Sequence, residues 1–166
     1  AAYTAKDGCI IDNRTLTLVH GFSNAKIPSD GSVIRIAAYA FNEELNVQSV
    51  TIPYTVTTIH REAFMCTTLN AFHVDENSPT YWADQRGFLY SKDQTTLVRA
   101  PLKLSGSYAI PSGVTAIGQY AFYLCFGLTE VIMPEGLTHI GQRAFNACSK
   151  LSSLCLPESI SDIGVY

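Results

Sequence analysis

The sequence predicts a β-rich repeat solenoid, in which short parallel strands stack on one another and β-hairpins are inserted between the coils. One observation is a six-residue segment that recurs with a spacing of 23 residues in each half of the chain. Its copies read IAAYAF, IHREAF, IGQYAF and IGQRAF, and they end at Phe41, Phe64, Phe122 and Phe145. A second observation is an apolar residue followed by proline, which recurs at Pro28, Pro53, Pro111, Pro134 and Pro157.

Six short segments, here called rungs, align on these landmarks. They are Phe22–Ile27, Val47–Ile52, Leu69–Val74, Ser105–Ile110, Leu128–Met133 and Leu151–Leu156. The clearest two read LTEVIM and LSSLCL, which is the L-x-x-L-x-L pattern of a leucine-rich repeat. We expect positions one, four and six to point inward and the other three to point outward, in strands of one parallel sheet. Because a six-residue strand cannot bury an apolar face alone, stacking on neighbouring rungs must supply the stability.

The return path between rungs is expected to contain a second short extended stretch and then one short helical turn. Glycine at 118 and 141 should permit the bend between these two parts. The Ala-Phe pair that follows provides one small and one large inward side chain per coil. Phe122 and Phe145 should therefore be almost wholly buried and stacked one rung apart.

Two β-hairpins interrupt the rungs. Gly87–Tyr90 and Thr96–Arg99 flank a polar turn, and this pattern predicts a hairpin. A similar stretch opens the chain, since Gly8 precedes Gly87 by 79 residues. A larger unit, one hairpin followed by three rungs, thus occurs twice. We expect a single continuous domain with a hairpin at 7–20, rungs over 22–74, a hairpin at 75–104, rungs over 105–156 and a truncated repeat at 157–166.

Composition excludes several classes of protein. A hydrophobic share of 47% with only 15% charged residues excludes a disordered chain. A net charge of -3 provides no basic surface for nucleic acid, and no apolar stretch is long enough to span a membrane. The chain stops within an I-G-x-x-A-F segment, so we expect the native protein to continue beyond Tyr166. Ile160 and Ile163 then lack a covering coil, and the open C-terminal edge predicts self-association.

The landmarks together resemble the BspA-like leucine-rich repeats of bacterial and protist cell surfaces. These landmarks are I-G-x-x-A-F-x-x-C, L-x-x-L-x-L-P and the inserted D-E-N-S-P-x-Y segment, and they cover nearly the whole chain. The resemblance implies a secreted or surface-anchored protein, with its signal peptide and anchor outside this chain, that mediates adhesion to host matrix proteins or to other cells. It supplies no catalytic residues, and we expect neither enzyme activity nor a cofactor.

The cysteines and histidines are interpreted as structural. Cys66, Cys125 and Cys148 each follow an Ala-Phe pair and are expected to be small core fillers with free thiols, although a bridge between the last two is possible on distance. Cys155 is expected to face outward, and Cys9 has no evident partner. The four histidines fall in different columns without metal-ligand spacing, so no metal site is predicted.

The outward rung positions are the main candidate for binding, because solenoids use such a concave sheet for extended recognition of proteins. The candidate residues, here called the rung face, are Gln48, Ser49, Thr51, Asn70, His73, Thr129, Glu130, Ile132, Ser152 and Ser153. A second candidate is the polar loop that contains Tyr81 and Trp82, whose rings suit stacking on sugars. An exposed Trp82 platform would favour a carbohydrate-binding module. A Trp82 packed under the hairpin would favour a protein-binding module.

Overall fold

The computed structural model describes residues 1–42, 44, 46–65 and 68–165. Contacts between Cα atoms divide the chain into two compact units, Ala1–Trp82 and Ala83–Tyr166, here called unit 1 and unit 2. Each unit is described by itself, and the single continuous domain stays a prediction.

Unit 1 contains two sheets. Its strands are β1 (Tyr3–Lys6), β2 (Cys9–Asp12), β3 (Thr17–Gly21), β4 (Arg35–Ile36), β5 (Ser49–Ile52), β6 (Thr58–Ile59) and β7 (Ala71–Val74). The larger sheet has the order β1-β2-β3-β4-β6. Its first three strands are antiparallel and include the predicted first hairpin, whereas β3, β4 and β6 run parallel. The rung strands β5 and β7 form a separate parallel pair.

Unit 2 follows the same plan. Its strands, the first of which contains the unit boundary, are β8 (Tyr81–Ala83), β9 (Leu89–Ser91), β10 (Thr96–Arg99), β11 (Ser105–Ala109), β12 (Ala116–Ile117), β13 (Gly127–Ile132), β14 (His139–Ile140) and β15 (Asp162–Ile163). The larger sheet has the order β8-β9-β10-β12-β14-β15, and β11 pairs with β13. The antiparallel pair β9–β10 is the predicted second hairpin. Gly8 and Gly87 both have positive φ, 74° and 79°, so the two hairpins begin with the same left-handed glycine.

The alternation predicted for the rungs is confirmed in the paired strands. Val50 and Ile52 of β5 are buried, and Thr51 between them is exposed. A stack of aromatic rings lies beside the rungs in each unit. Phe41 stacks on Phe64 with ring centroids 5.3 Å apart, and Phe122 stacks on Phe145 at 5.0 Å. Phe122 is wholly buried as expected, but Phe145 is only half-buried, so the expectation of complete burial is wrong for that residue.

The expected helical turns of the return path are wrong, since in the described residues these segments form turns without any helix. The reason is that successive N–H groups donate in different directions. Tyr123 N donates to Tyr120 O at 3.1 Å within the turn, whereas Phe122 N donates to Ala144 O of the next coil at 2.8 Å. A helix needs all its N–H groups to donate within the segment. In addition, Tyr120 has a φ of 58°, which a right-handed helix does not accept.

The expected six-stranded parallel sheet is also wrong, because Phe22–Ile27 and Leu151–Leu156 do not form strands. In the first rung, Phe22 N donates to Gly8 O at 2.9 Å, and Lys26 N donates to Asp7 O at 2.8 Å. Its backbone is therefore bonded to the β1–β2 turn. In the last rung the apolar side chains are half-buried or exposed, so their burial does not hold an inward-facing strand in place.

The glycine of the I-G-x-x-A-F segment is required for a reason other than the expected bend. A Cβ atom on Gly141 would lie 2.5 Å from Gln119 N and 2.7 Å from Gly118 C, far inside van der Waals contact. Neighbouring coils thus approach so closely at this point that only glycine fits.

Candidate functional site

In unit 1 the rung face is a set of exposed polar side chains paired across β5 and β7. Thr51 lies opposite His73, and Ser49 lies opposite Ala71. Beside them, the Asn70 side-chain amide donates to Gln48 Oε1 at 2.6 Å. All five candidate residues of this unit are exposed, so their hydrogen-bonding groups are available to a ligand.

In unit 2 the rung face is built on β13. Thr129, Glu130 and Ile132 are exposed, and Glu130 lies opposite Ser107 of β11. The pairing shifts between Gly106 and Ser107, so Gly106 lies opposite Leu128 rather than opposite Thr129. Gly106 has a φ of 78°, and a bulge at such a glycine displaces the column by one residue.

The last two candidates, Ser152 and Ser153, are exposed but lie outside any strand. Ser153 lines an open cavity of about 290 Å³ together with Glu130 and Ile132. The exposed Cys155 lies in the same cavity. The structure therefore brings Ser153 next to the β13 part of the rung face.

A groove of about 520 Å³ lies beside β5 in unit 1, and the sequence did not predict it. Its lining is small and mostly polar, and comprises Ser23, Asn24, Ala25, Lys26, Ile27, Ser29, Ser49, Thr51, Pro53 and Asp75. The groove was missed because residues 22–27 were expected to form a strand next to β5. The available signal was length, since Gly8 and Pro28 are 20 residues apart whereas Gly87 and Pro111 are 24 apart.

The structure places Tyr81 and Trp82 on β8, so the expected polar loop is a strand. Both residues are half-buried. The Tyr81 hydroxyl accepts a hydrogen bond from Ile59 N at 3.1 Å, and burial raises the pKa of this hydroxyl. Because this contact fixes the hydroxyl end of Tyr81, its ring is not a freely exposed stacking platform.

The expectation of free, buried thiols is confirmed for Cys125 and Cys148. Their S–H groups donate to Pro101 O at 3.6 Å and to Phe122 O at 3.1 Å. Burial raises the pKa of Cys125 to about 12 and that of Cys148 to about 11, so both stay protonated at neutral pH. Cys66 lies outside the described residues.

Cys9, for which the sequence suggested no partner, is also buried. Its S–H group donates to Lys26 O at 3.6 Å, and burial raises its pKa to about 11. This thiol therefore packs between the first hairpin and the first rung.

Other ionisable side chains form pairs and turns. His20 lies 3.3 Å from Glu44, and His139 lies 2.6 Å from Asp162. Asp75 accepts a hydrogen bond from Asn77 N at 2.9 Å and so stabilises the turn after β7. In the part of the chain that the structure describes, no three His, Cys, Asp or Glu side chains gather as metal ligands. That part also has no helix long and apolar enough to cross a membrane.

Comparison with known sequences and structures identifies similar proteins. A family model for the BspA type leucine rich repeat region matches residues 9–91 and 103–166, in six copies. No curated protein matches the chain in sequence.

Three solved structures are similar to the chain. The pneumococcal vaccine antigen PcpA has a TM-score of 0.73 and 28% identity, over 85% of this chain and 37% of its own. A leucine-rich repeat protein from Eubacterium ventriosum has a TM-score of 0.71 and 25% identity, over 87% of this chain and 42% of its own. A leucine rich cell surface protein from Faecalibacterium prausnitzii has a TM-score of 0.58 and 29% identity, over 81% and 33%. The chain therefore spans less than half the length of each.

Proposed function

Because the chain belongs to the BspA-type leucine-rich repeat family, we propose that it is a non-catalytic recognition module that binds proteins through the rung face. Repeat proteins of this kind present extended surfaces for binding. The observation that carries the proposal is that all ten residues of the rung face are exposed. Their inward neighbours on the paired strands, such as Val50 and Val131, are buried. The backbone thus holds an ordered array of side chains toward solvent.

The chemistry of this surface suits a protein partner. Hydroxyl and amide groups dominate, and Glu130 adds one carboxylate beside the exposed Ile132. An apolar centre within a polar rim is the usual composition of a protein interface. One similar structure is a vaccine antigen and another is a cell surface protein, which supports a location outside the cell. The proposed partners are therefore host matrix proteins or proteins of neighbouring cells.

Two substitutions in unit 2 test the proposal. Ile132 and Phe126 are both 53% exposed, but only Ile132 lies on the rung face. Binding to a panel of purified extracellular-matrix proteins would be measured by surface plasmon resonance. We expect Ile132→Glu to weaken binding about tenfold or more, because it places a charge at the apolar centre. Phe126→Glu should bind as the unchanged chain does. Equal binding by both variants, or no binding to any panel member or to host cells, would contradict the proposal.

The alternative function is a carbohydrate-binding module that uses Tyr81 and Trp82. It is favoured by the part of the Trp82 surface that remains open to solvent. Trp82 is the only tryptophan, so its fluorescence reports directly on ligand contact. Titration with glycans selected on an array should shift or quench this emission if the alternative holds. Under the protein-binding proposal, the emission stays unchanged with every glycan.

A further inference from the structure

We propose that the groove of unit 1 binds an extended peptide, which adds as a strand to the open edge of β5. The inference deepens the proposed function and rests on it in taking the partner to be a protein. It concerns unit 1 alone, and it assigns the partner a conformation and a place. The ligand would lie next to β5 as β11 lies next to β13 in unit 2.

The first step is a comparison of equivalent rungs in the two units. In unit 2 the first rung is strand β11, and it pairs in parallel with β13, the second rung. In unit 1 the second rung is β5, which pairs with β7 in a sheet of two strands. The first rung, residues 22–27, is not a strand. In the described part of unit 1, the β5 edge that faces this rung therefore has no strand beside it.

The second step is the physical cause of the gap. In unit 2, Phe88 and Tyr108 stack with ring centroids 4.0 Å apart and fill the space between hairpin and rung. At the equivalent positions unit 1 has Cys9 and Ala25. With these small side chains the first rung packs directly on the hairpin, where a Cβ on Gly8 would lie only 3.0 Å from Ala25 Cα. The rung is drawn away from β5, and the groove of about 520 Å³ remains.

The third step is the direction of the backbone groups on β5. In a parallel ladder, alternate residues of a strand bond to the same neighbour. Gln48 O accepts from Asn70 N at 2.8 Å, and Ile52 O accepts from Asp75 N at 3.0 Å. The residues at even positions therefore face β7. The N–H and C=O groups of Ser49 and Thr51 point to the opposite edge, and both residues line the groove.

These features define the ligand. Ser49 and Thr51 lie about 7 Å apart along the strand, so about four residues of an extended ligand can pair with them. The half-buried Ala25 and Ile27 leave room only for small side chains on the inward side of the ligand. The exposed Lys26 stands at the rim and complements an acidic residue on the outward side. The ligand is thus an extended segment with alternating small residues and at least one acidic residue.

The probe is the synthetic peptide acetyl-Thr-Ala-Glu-Ala-Thr-amide, and binding is followed through the backbone amide NMR signals of the full chain. We expect saturable shifts at Ser49 and Thr51 with a dissociation constant below about 1 mM. Two N-methylated forms of the peptide, methylated at odd or at even positions, are the matched controls. Only one alternating set of N–H groups faces β5, so one form should lose binding at least tenfold and the other should keep it. No saturable shift, or equal behaviour of the two forms, overturns the inference.

A protein variant provides the second arm. Thr51→Pro removes the N–H that points into the groove and leaves the ladder with β7 unchanged, as proline is tolerated at an open strand edge. We expect it to bind the peptide at least tenfold more weakly, whereas Phe126→Glu in unit 2 should bind normally. If Thr51→Pro does not fold, the methylated peptides still decide. Loss of matrix-protein binding in Ile132→Glu together with no peptide binding would overturn this inference and leave the proposed function standing.

Discussion

At the scale of single residues, burial follows position within the repeat. Phe122 stacks on Phe145 on one side and contacts the edge of Phe88 on the other, with ring centroids 5.0 and 6.4 Å away. Phe145 has Phe122 on one side and a partly open apolar cavity beside it. The two phenylalanines share a sequence motif but differ in how completely their neighbours enclose them. Their contributions to stability should differ accordingly.

We expect Phe122→Ala to lower the free energy of unfolding by about 3–5 kcal/mol, because it leaves a cavity at a wholly buried site. Phe145→Ala should cost about half as much, since part of the ring is already exposed. Phe126→Ala, at an exposed position, is the control and should change stability by less than about 0.5 kcal/mol. Urea unfolding followed by circular dichroism measures all three. Equal losses for Phe122→Ala and Phe145→Ala would show that the stack does not act as described.

At the scale of elements, backbone hydrogen bonds between coils shape the return path. Gly118 N donates to Leu97 O at 2.8 Å, and Gly141 N donates to Ile117 O at 2.7 Å. These bonds draw successive coils together at the glycine of each I-G-x-x-A-F segment. The same contacts replace the expected helix with turns, because the N–H groups are shared between the segment and its neighbour.

Gly141→Ala should destabilise the chain by about 1–3 kcal/mol, because its Cβ would overlap the backbone of the preceding coil. The matched control is Gly113→Ala, where a Cβ meets no atom within 4 Å. The control should be neutral or slightly stabilising, since alanine restricts the unfolded chain more than glycine does. Thermal unfolding of the two variants tests this difference. A Gly141→Ala variant that melts with the control would mean that the coils separate there at little cost.

At the scale of the whole molecule, the repeated larger unit appears twice with different details. Both units contain an antiparallel hairpin that continues into a parallel sheet, together with a separate pair of rung strands. Unit 2 also has an apolar cavity of about 340 Å³, whose lining includes Phe145, Leu154, Leu156 and Ile163. Leu156 and Ile163 are 50% and 52% exposed. An exposed apolar surface of this kind favours association.

We expect the chain to self-associate through this cavity, with a mass that rises with concentration in multi-angle light scattering. Leu156→Glu should keep the chain monomeric at concentrations where the unchanged chain dimerises, because it would bury an unpaired charge in the contact. Phe126→Glu is again the control and should associate normally. A mass that stays monomeric across the whole series, or association that is unaffected by Leu156→Glu, would contradict this prediction.

The sequence by itself determined the repeat, the direction of most rung side chains and the two hairpins. These features depend on local periodicity: side chains alternate along any strand, so Thr51 between Val50 and Ile52 had to face outward. The positive φ of Gly8 and Gly87 likewise belongs to a short hairpin turn that the local sequence specifies. For the same reason, every rung-face residue predicted from the sequence is exposed.

Only the tertiary structure decided which partner each backbone group bonds to. The first rung carries the spacing of a strand, yet its N–H groups at Phe22 and Lys26 bond to the β1–β2 turn, and the groove beside β5 results. Phe122 N bonds to Ala144 of the next coil, so turns replace the predicted helix. Tyr81 lies on a strand because its contacts are with residues distant in sequence, including Ile59. Such choices depend on the volumes and distances of packed neighbours, and a 23-residue pattern does not encode them.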